Sequence, residues 1–253
     1  MKRLILAASF AILSLFCFAQ EEQVGVAADR PGVLMCPDIT PFKKVQWETG
    51  FECAWMEGHS LTLPTTIFRF GVTRFAELRL EYDGLLTRPA HSSEWSYEVC
   101  PLSLGTRIKI FDGYKWIPKI ALTAEIAIPV TRTQVRETHV APSLHLSFQN
   151  EVTDWFYISY NVGADWDGVT AIPATALGAF LGFNITDSFG AFVESYNYFT
   201  QYGIHHTEVE CDLDFGFYYL VHPKVQLDLY AGFNCQDPRT MSFVGLGVAW
   251  MIN

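Results

Sequence analysis

Charge is scarce in this chain, and long apolar runs are confined to its first residues. Lysine plus arginine number 17 and aspartate plus glutamate 27 among 253 residues. Past residue 19, no segment supplies the roughly 20 mostly apolar residues that a membrane-spanning helix needs. The nearest stretch, 169–185, is too short and carries Pro173, Gly178 and Gly182. A nucleotide-binding glycine loop, a coiled coil and a nucleic-acid-binding basic patch are all missing, and a net charge of −10 argues against a nucleic-acid partner. No motif calls for a cofactor. Cysteines are few: Cys17 falls in the leader, and Cys36, Cys53, Cys100, Cys211 and Cys235 remain. That odd set allows one disulfide whose pairing is unreadable from sequence. Cys53 and Cys211 alternate with apolar positions and read as small apolar side chains.

What is present begins with an export signal. Lys2 and Arg3 form a positive n-region, Leu4 to Phe18 an apolar core, and Cys17-Phe18-Ala19 a small-residue cleavage site, so 1–19 reads as a signal peptide. Phe16 before Cys17 disfavours lipidation. Residues 20–42, with Pro31, Pro37 and Pro41, read as a periplasmic lead-in that either enters a lumen as a plug or stays outside it.

From 43 to 253 the chain repeats one unit, about ten residues of alternating apolar and polar character followed by a turn. Val225, Leu227, Leu229, Ala231 and Phe233 share one side of such a stretch, and Gln226, Asp228, Tyr230, Gly232 and Asn234 the other. Half of all residues are hydrophobic and 15% aromatic. A soluble sandwich would have to bury Trp47, Phe51, Phe68, Phe70, Ile126, Phe156, Tyr160, Phe215 and Phe217 in one interior while their opposite faces carry charge. Turning the greasy face outward satisfies both demands in a bilayer. The expectation is an all-β fold, a transmembrane antiparallel up-and-down barrel in the cell outer membrane.

Segments near 43–56, 60–72, 75–83, 98–110, 116–130, 139–150, 155–166, 170–184, 188–199, 207–221, 224–234 and 240–252 give about twelve strands, an even number as bacterial barrels show. Short connections at 72–75, 111–114, 151–154, 185–188 and 221–224 alternate with longer ones near 57–59, 84–97, 131–138, 166–169, 200–206 and 235–239. Short turns are periplasmic in such barrels and long loops external. Alternation then assigns the lumen, and the candidates for a solute pathway are Glu48, Glu52, Arg69, Glu77, Arg79, Arg107, Glu125, Asp212, Asp214 and Asp228. Two readings stand for them: an acidic, cation-favouring pathway, or arginine–carboxylate pairs that hold a filled interior together.

Ala28-Asp29-Arg30-Pro31-Gly32 precedes Trp47-Glu48-Thr49-Gly50-Phe51, followed by Arg69-Phe70-Gly71-Val72-Thr73, Glu77-Leu78-Arg79-Leu80, Leu102-Ser103-Leu104-Gly105, Gln226-Leu227-Asp228-Leu229 and Phe243-Val244-Gly245-Leu246-Gly247. This order resembles the outer-membrane transporter family named for the meta-pathway of phenol degradation, over nearly the whole mature chain. The resemblance implies a barrel of this strand number and the movement of small, often hydrophobic or aromatic compounds. It also implies that Arg69, Glu77 and Arg79 are lumen residues and Asp29-Arg30-Pro31 a periplasmic lead-in. The closing Trp250-Met251-Ile252-Asn253 lacks the terminal aromatic common in barrel proteins, with Trp250 as the substitute offered to the barrel assembly machinery.

Two other constellations carry weaker signals. His145 and Ser147 share a strand face, as a serine nucleophile and its base require, but Leu144, Leu146 and Phe148 hold the lipid side, which sends the pair into the lumen as polar lining. His205-His206 with Glu208 and Glu210 has metal-binding donors, yet adjacent histidines on a strand point apart. The expected function is transport of a small-molecule solute across the bilayer without enzymatic activity. The alternative is a structural or surface-interaction barrel with a blocked lumen, acting through its loops near 84–97 and 200–206.

Overall fold

The computed structural model describes residues 25–55, 58–130, 139–203, 206–236 and 242–252. The leader at 1–19, the loop at 131–138, His205 and the terminal Asn253 lie outside them. Thirteen strands follow in chain order: β1 (Val45–Trp55), β2 (Gly58–Gly71), β3 (Ala76–Pro89), β4 (Ser96–Val99), β5 (Leu102–Tyr114), β6 (Ile117–Ile128), β7 (Ala141–Thr153), β8 (Phe156–Asp165), β9 (Ala174–Asn184), β10 (Phe189–Gly203), β11 (His206–His222), β12 (Val225–Asn234) and β13 (Ser242–Ile252). Consecutive strands pair antiparallel, except that β3 pairs with β5 past β4, and β1 pairs with β13, which closes the sheet into a twelve-strand barrel. Closure leaves the barrel without a free edge, as lipid requires of any spanning sheet.

β4 stands outside the circle. It pairs only with the outer part of β3, where Gly84–Thr87 lie opposite Ser96–Val99. The connection expected at 84–97 is therefore partly strand. Asp83-Gly84 reads as a break in the sequence, but the backbone beyond it stays paired, to β2 on one side and to β4 on the other.

Side-chain exposure is inverted relative to a soluble protein. Phe215, Phe217, Leu229 and Leu246 face outward and are exposed, whereas Arg69, Glu77 and Asp214 face inward and are fully buried. Outward aromatics gather near the short-turn end. Trp47 lies opposite Trp250 and stacks on Phe68, Trp155 stacks on Phe183, and Phe189 stacks on Phe217. Amphipathic rings at such a level anchor a barrel at a membrane–water boundary.

Residues 25–42 fill part of the bore. The segment enters at the short-turn end, where the Val26 amide donates to the Pro223 carbonyl at 2.9 Å. It reaches Glu194 on β10 with its tip, Val33–Leu34. It then returns to the same end, where the Lys43 amide donates to the Gly71 carbonyl at 2.8 Å. Of the two positions the sequence left open for this stretch, the lumen is the one observed.

Candidate functional site

The register of β2, β3 and β5 sets three arginines side by side on the inner wall. Arg69 lies opposite Arg79, and Glu77 opposite Arg107. Like charges facing across a ladder repel, so this wall holds only if acids are interleaved with it. Arg69 Nη1 lies 2.9 Å from Glu48 Oε1, and its Nε 2.9 Å from Glu77 Oε1. Arg79 Nε lies 2.5 Å from Glu125 Oε1, and its Nη2 2.7 Å from Glu81 Oε1. Gly105 makes room for that arrangement: a Cβ there would strike the Glu125 side chain.

The remaining acid comes from the plug. Asp29 receives a two-pronged contact from Arg107 at 2.9 Å on each oxygen, and Arg79 Nη1 reaches its Oδ2 at 2.6 Å. Burial, the largest influence on this carboxyl, raises its pKa; Arg107, Arg69 and Arg79 together outweigh it and hold the group well below the usual carboxylate range. The neighbouring Cys36 thiol is pushed up to about 12, first by burial and then by the negative charge of Asp29.

Arg30 turns the other way. Its Nη2 lies 3.2 Å from Asp228 Oδ1 on β12, and its Nη1 donates to Thr65 Oγ1 on β2 at 2.9 Å. Gly50 and Gly247, which pair across β1 and β13, are what let the guanidinium lie against the wall, since a Cβ at either would collide with it. Backbone bonds complete the docking. Glu48 accepts from the Asp29 and Arg30 amides, Glu77 from Thr40 at 2.6 Å, and Glu194 Oε1 from Val33 and Leu34 at 2.8 and 3.0 Å. Arg69 also donates to the carbonyls of Ala27 and Asp38.

A second part of the inner face is acidic. Glu52, Glu194, Asp212 and Asp214 project from β1, β10 and β11, with Glu194 directly across the ladder from Asp214. Tyr230 donates to Glu52 at 3.0 Å and Asn234 to Asp212 at 3.1 Å. Between the tip of the plug and the inner face of β6 to β10 lies a cavity of about 210 Å³, lined among others by Val33, Leu34, His145, Asp165, Tyr196 and Tyr198.

The ten residues singled out from the sequence thus fall into three groups. Glu48, Arg69, Glu77, Arg79, Arg107 and Glu125 form the paired wall, Asp228 holds Arg30, and Glu52, Asp212 and Asp214 belong to the acidic side. Sequence reasoning missed Glu194, because its strand carries Phe192, Tyr196 and Tyr198 on the inner face and gives no greasy-versus-polar contrast. It also missed Asp29 and Arg30 as lumen partners. The glycines Gly50 and Gly247, on facing strands, were the available hint of a bulky group inside. His145 and Ser147 do face inward; His145 Nε2 lies 2.7 Å from Asp165 Oδ1, while the Ser147 hydroxyl is buried without a partner. Glu208 and Glu210 are exposed, and no three metal-binding side chains converge among the described residues.

The family model described as "Putative MetA-pathway of phenol degradation" matches residues 28–252. An outer membrane channel from Pseudomonas putida F1 superposes with a TM-score of 0.62 at 10% identity, covering 90% of this chain and 100% of that one. The NanC porin gives a TM-score of 0.59 at 8% identity, covering 82% of this chain and 100% of the porin. For the KdgM porin the values are 0.53 and 9%, over 81% and 99% of the two chains. At such identities the likeness is one of fold. A direct sequence comparison finds no match among curated proteins.

Proposed function

The chain belongs to this MetA-pathway family, and from that premise we propose that it is a gated outer-membrane channel for small solutes, with residues 25–42 as the gate. The observation that carries the reading is how the plug is held. Asp29 and Arg30 dock through charged contacts to Arg79, Arg107 and Asp228. Buried ion pairs return much of their attraction as desolvation cost, and an apolar filling of equal volume is often the more stable one. Charged groups recover their hydration when they separate into water, so a segment attached this way can leave the bore and return.

The short-turn end is periplasmic in this reading, so the gate opens toward the periplasm, and the chain reaches the membrane through its leader and the barrel assembly machinery. The family description names phenol degradation, and small hydrophobic or aromatic compounds are the cargo that this reading assigns. The ten inward-facing charged residues then line the pathway once the plug is displaced. Chemistry on the solute has no part in this reading: His145, Asp165 and Ser147 serve as polar lining. The docked plug also favours a second reading, a permanently blocked barrel that works through its outer loops. Planar-bilayer conductance and solute entry into liposomes separate the two. A purified, folded protein that conducts, even briefly, supports the gated channel; one that never conducts and never speeds entry contradicts it.

A further inference from the structure

Five cysteines follow the leader, and the ladder between β11 and β12 brings two of them together. Its Cα partners run from His222 with Val225 out to Asp212 with Asn234. One step further out, the Cys235 amide donates to the Cys211 carbonyl at 2.7 Å, so these residues form the last rung. Hydrogen-bonded partners across an antiparallel ladder have Cα atoms about 5.5 Å apart. That spacing lies inside the window of roughly 4.4–6.8 Å that a disulfide needs.

The facing of the two side chains agrees. Cys211 shares its side of β11 with the exposed Phe215 and Phe217, and Cys235 continues the side of β12 that carries the exposed Leu227 and Leu229. Both thiols therefore leave the sheet on its outer face, within hydrogen-bonding reach of each other. The other three cysteines have different neighbours. Cys36 lies in the bore beside Asp29, Cys53 faces Val244 and Leu61 across its ladders, and the Cys100 amide donates to the Asp83 carbonyl.

We propose that Cys211 and Cys235 are a modification site, oxidised to a disulfide that closes the open end of the β11–β12 hairpin. The other end is joined by the short turn after His222, so the link makes the hairpin a covalent ring. Terminal pairs open most readily, and the neighbouring rung carries the Asn234 bond to Asp212 at 3.1 Å on the inner face. The oxidant is a thiol–disulfide oxidase of the compartment the chain crosses on export. Cys235, the exposed member, attacks the oxidase disulfide as a thiolate, and one oxidase sulfur leaves as a thiol. The Cys211 thiolate then displaces the second oxidase sulfur. The pair has lost two electrons and two protons, and the oxidase departs as a dithiol. The link is independent of gating and forms whether or not the barrel conducts.

The test uses mature protein isolated from outer membranes without reductant, its free thiols blocked with N-ethylmaleimide during denaturation. Trypsin cleavage after Arg136, Lys224 and Arg239 separates Cys211 from Cys235. Mass spectrometry is expected to find residues 137–224 joined to 225–239, lighter than their sum by two hydrogens and parted by reductant. Maleimide is expected on Cys36, Cys53 and Cys100 alone. Cys235→Ser is expected to abolish the joined species and to add Cys211 to the labelled set. Maleimide on both Cys211 and Cys235, or a disulfide between any other pair, would overturn the site.

Discussion

Asp29 is the residue on which the docked state turns. One carboxylate answers three guanidiniums, and its partners keep it charged far into acid. A carboxyl whose pKa is lowered by docking strengthens the docked state at every pH above its free value, about 3.9 for aspartate. That strengthening is lost only as the pH falls through the lowered value. Channel open probability is therefore expected to stay flat from neutral pH down to about pH 4 and to rise below it. Asp29→Asn is expected to raise it already at neutral pH and to flatten the acid response. An open probability that climbs between pH 7 and pH 5 in the unmodified protein would mean another group controls docking.

At the scale of elements, the plug and the strands answer to different physics. The plug is bound through polar contacts to β1, β2, β3, β5, β6, β8, β10 and β12. Cys36 reports its position, because its thiol is half-buried and poorly ionised while docked. In a variant that keeps Cys36 and has serine at the other cysteines, maleimide labelling at pH 7.5 is expected to be slow. It should speed up at least tenfold with Asp29→Asn, measured by mass shift over time. The strands obey the bilayer. Leu229 points outward midway along β12, so Leu229→Lys is expected to destabilise the barrel by about 2–4 kcal/mol in urea unfolding in lipid.

The strand pattern was legible because each spanning segment needs one apolar face, and alternation writes that face into the sequence. Twelve strands, their facing and the paired arginines followed from it. β10 resisted, since Phe192, Tyr196 and Tyr198 make its inner face as aromatic as its outer one. Docking of 25–42 resisted for a different reason. A polar, proline-bearing stretch carries no periodicity, and its partners Arg107 and Asp228 lie far away in sequence. The glycines at 50, 71, 178 and 247, which a lipid-facing argument does not need, bear its imprint.

For the whole molecule, the proposed gate combines a closed sheet, which supplies a path through lipid, with a charged segment seated in its bore, which would decide whether the path is open. On that proposal, the acidic part of the lumen would favour cations along the path. The most direct measurement is single-channel conductance in planar bilayers of the mature protein beside its Asp29→Asn/Arg30→Gln variant, which keeps every strand pairing and removes both charged anchors. The expected result is a largely silent protein with brief openings and a variant that dwells open. Two equally silent traces from folded protein, or identical gating in both, would contradict the gate.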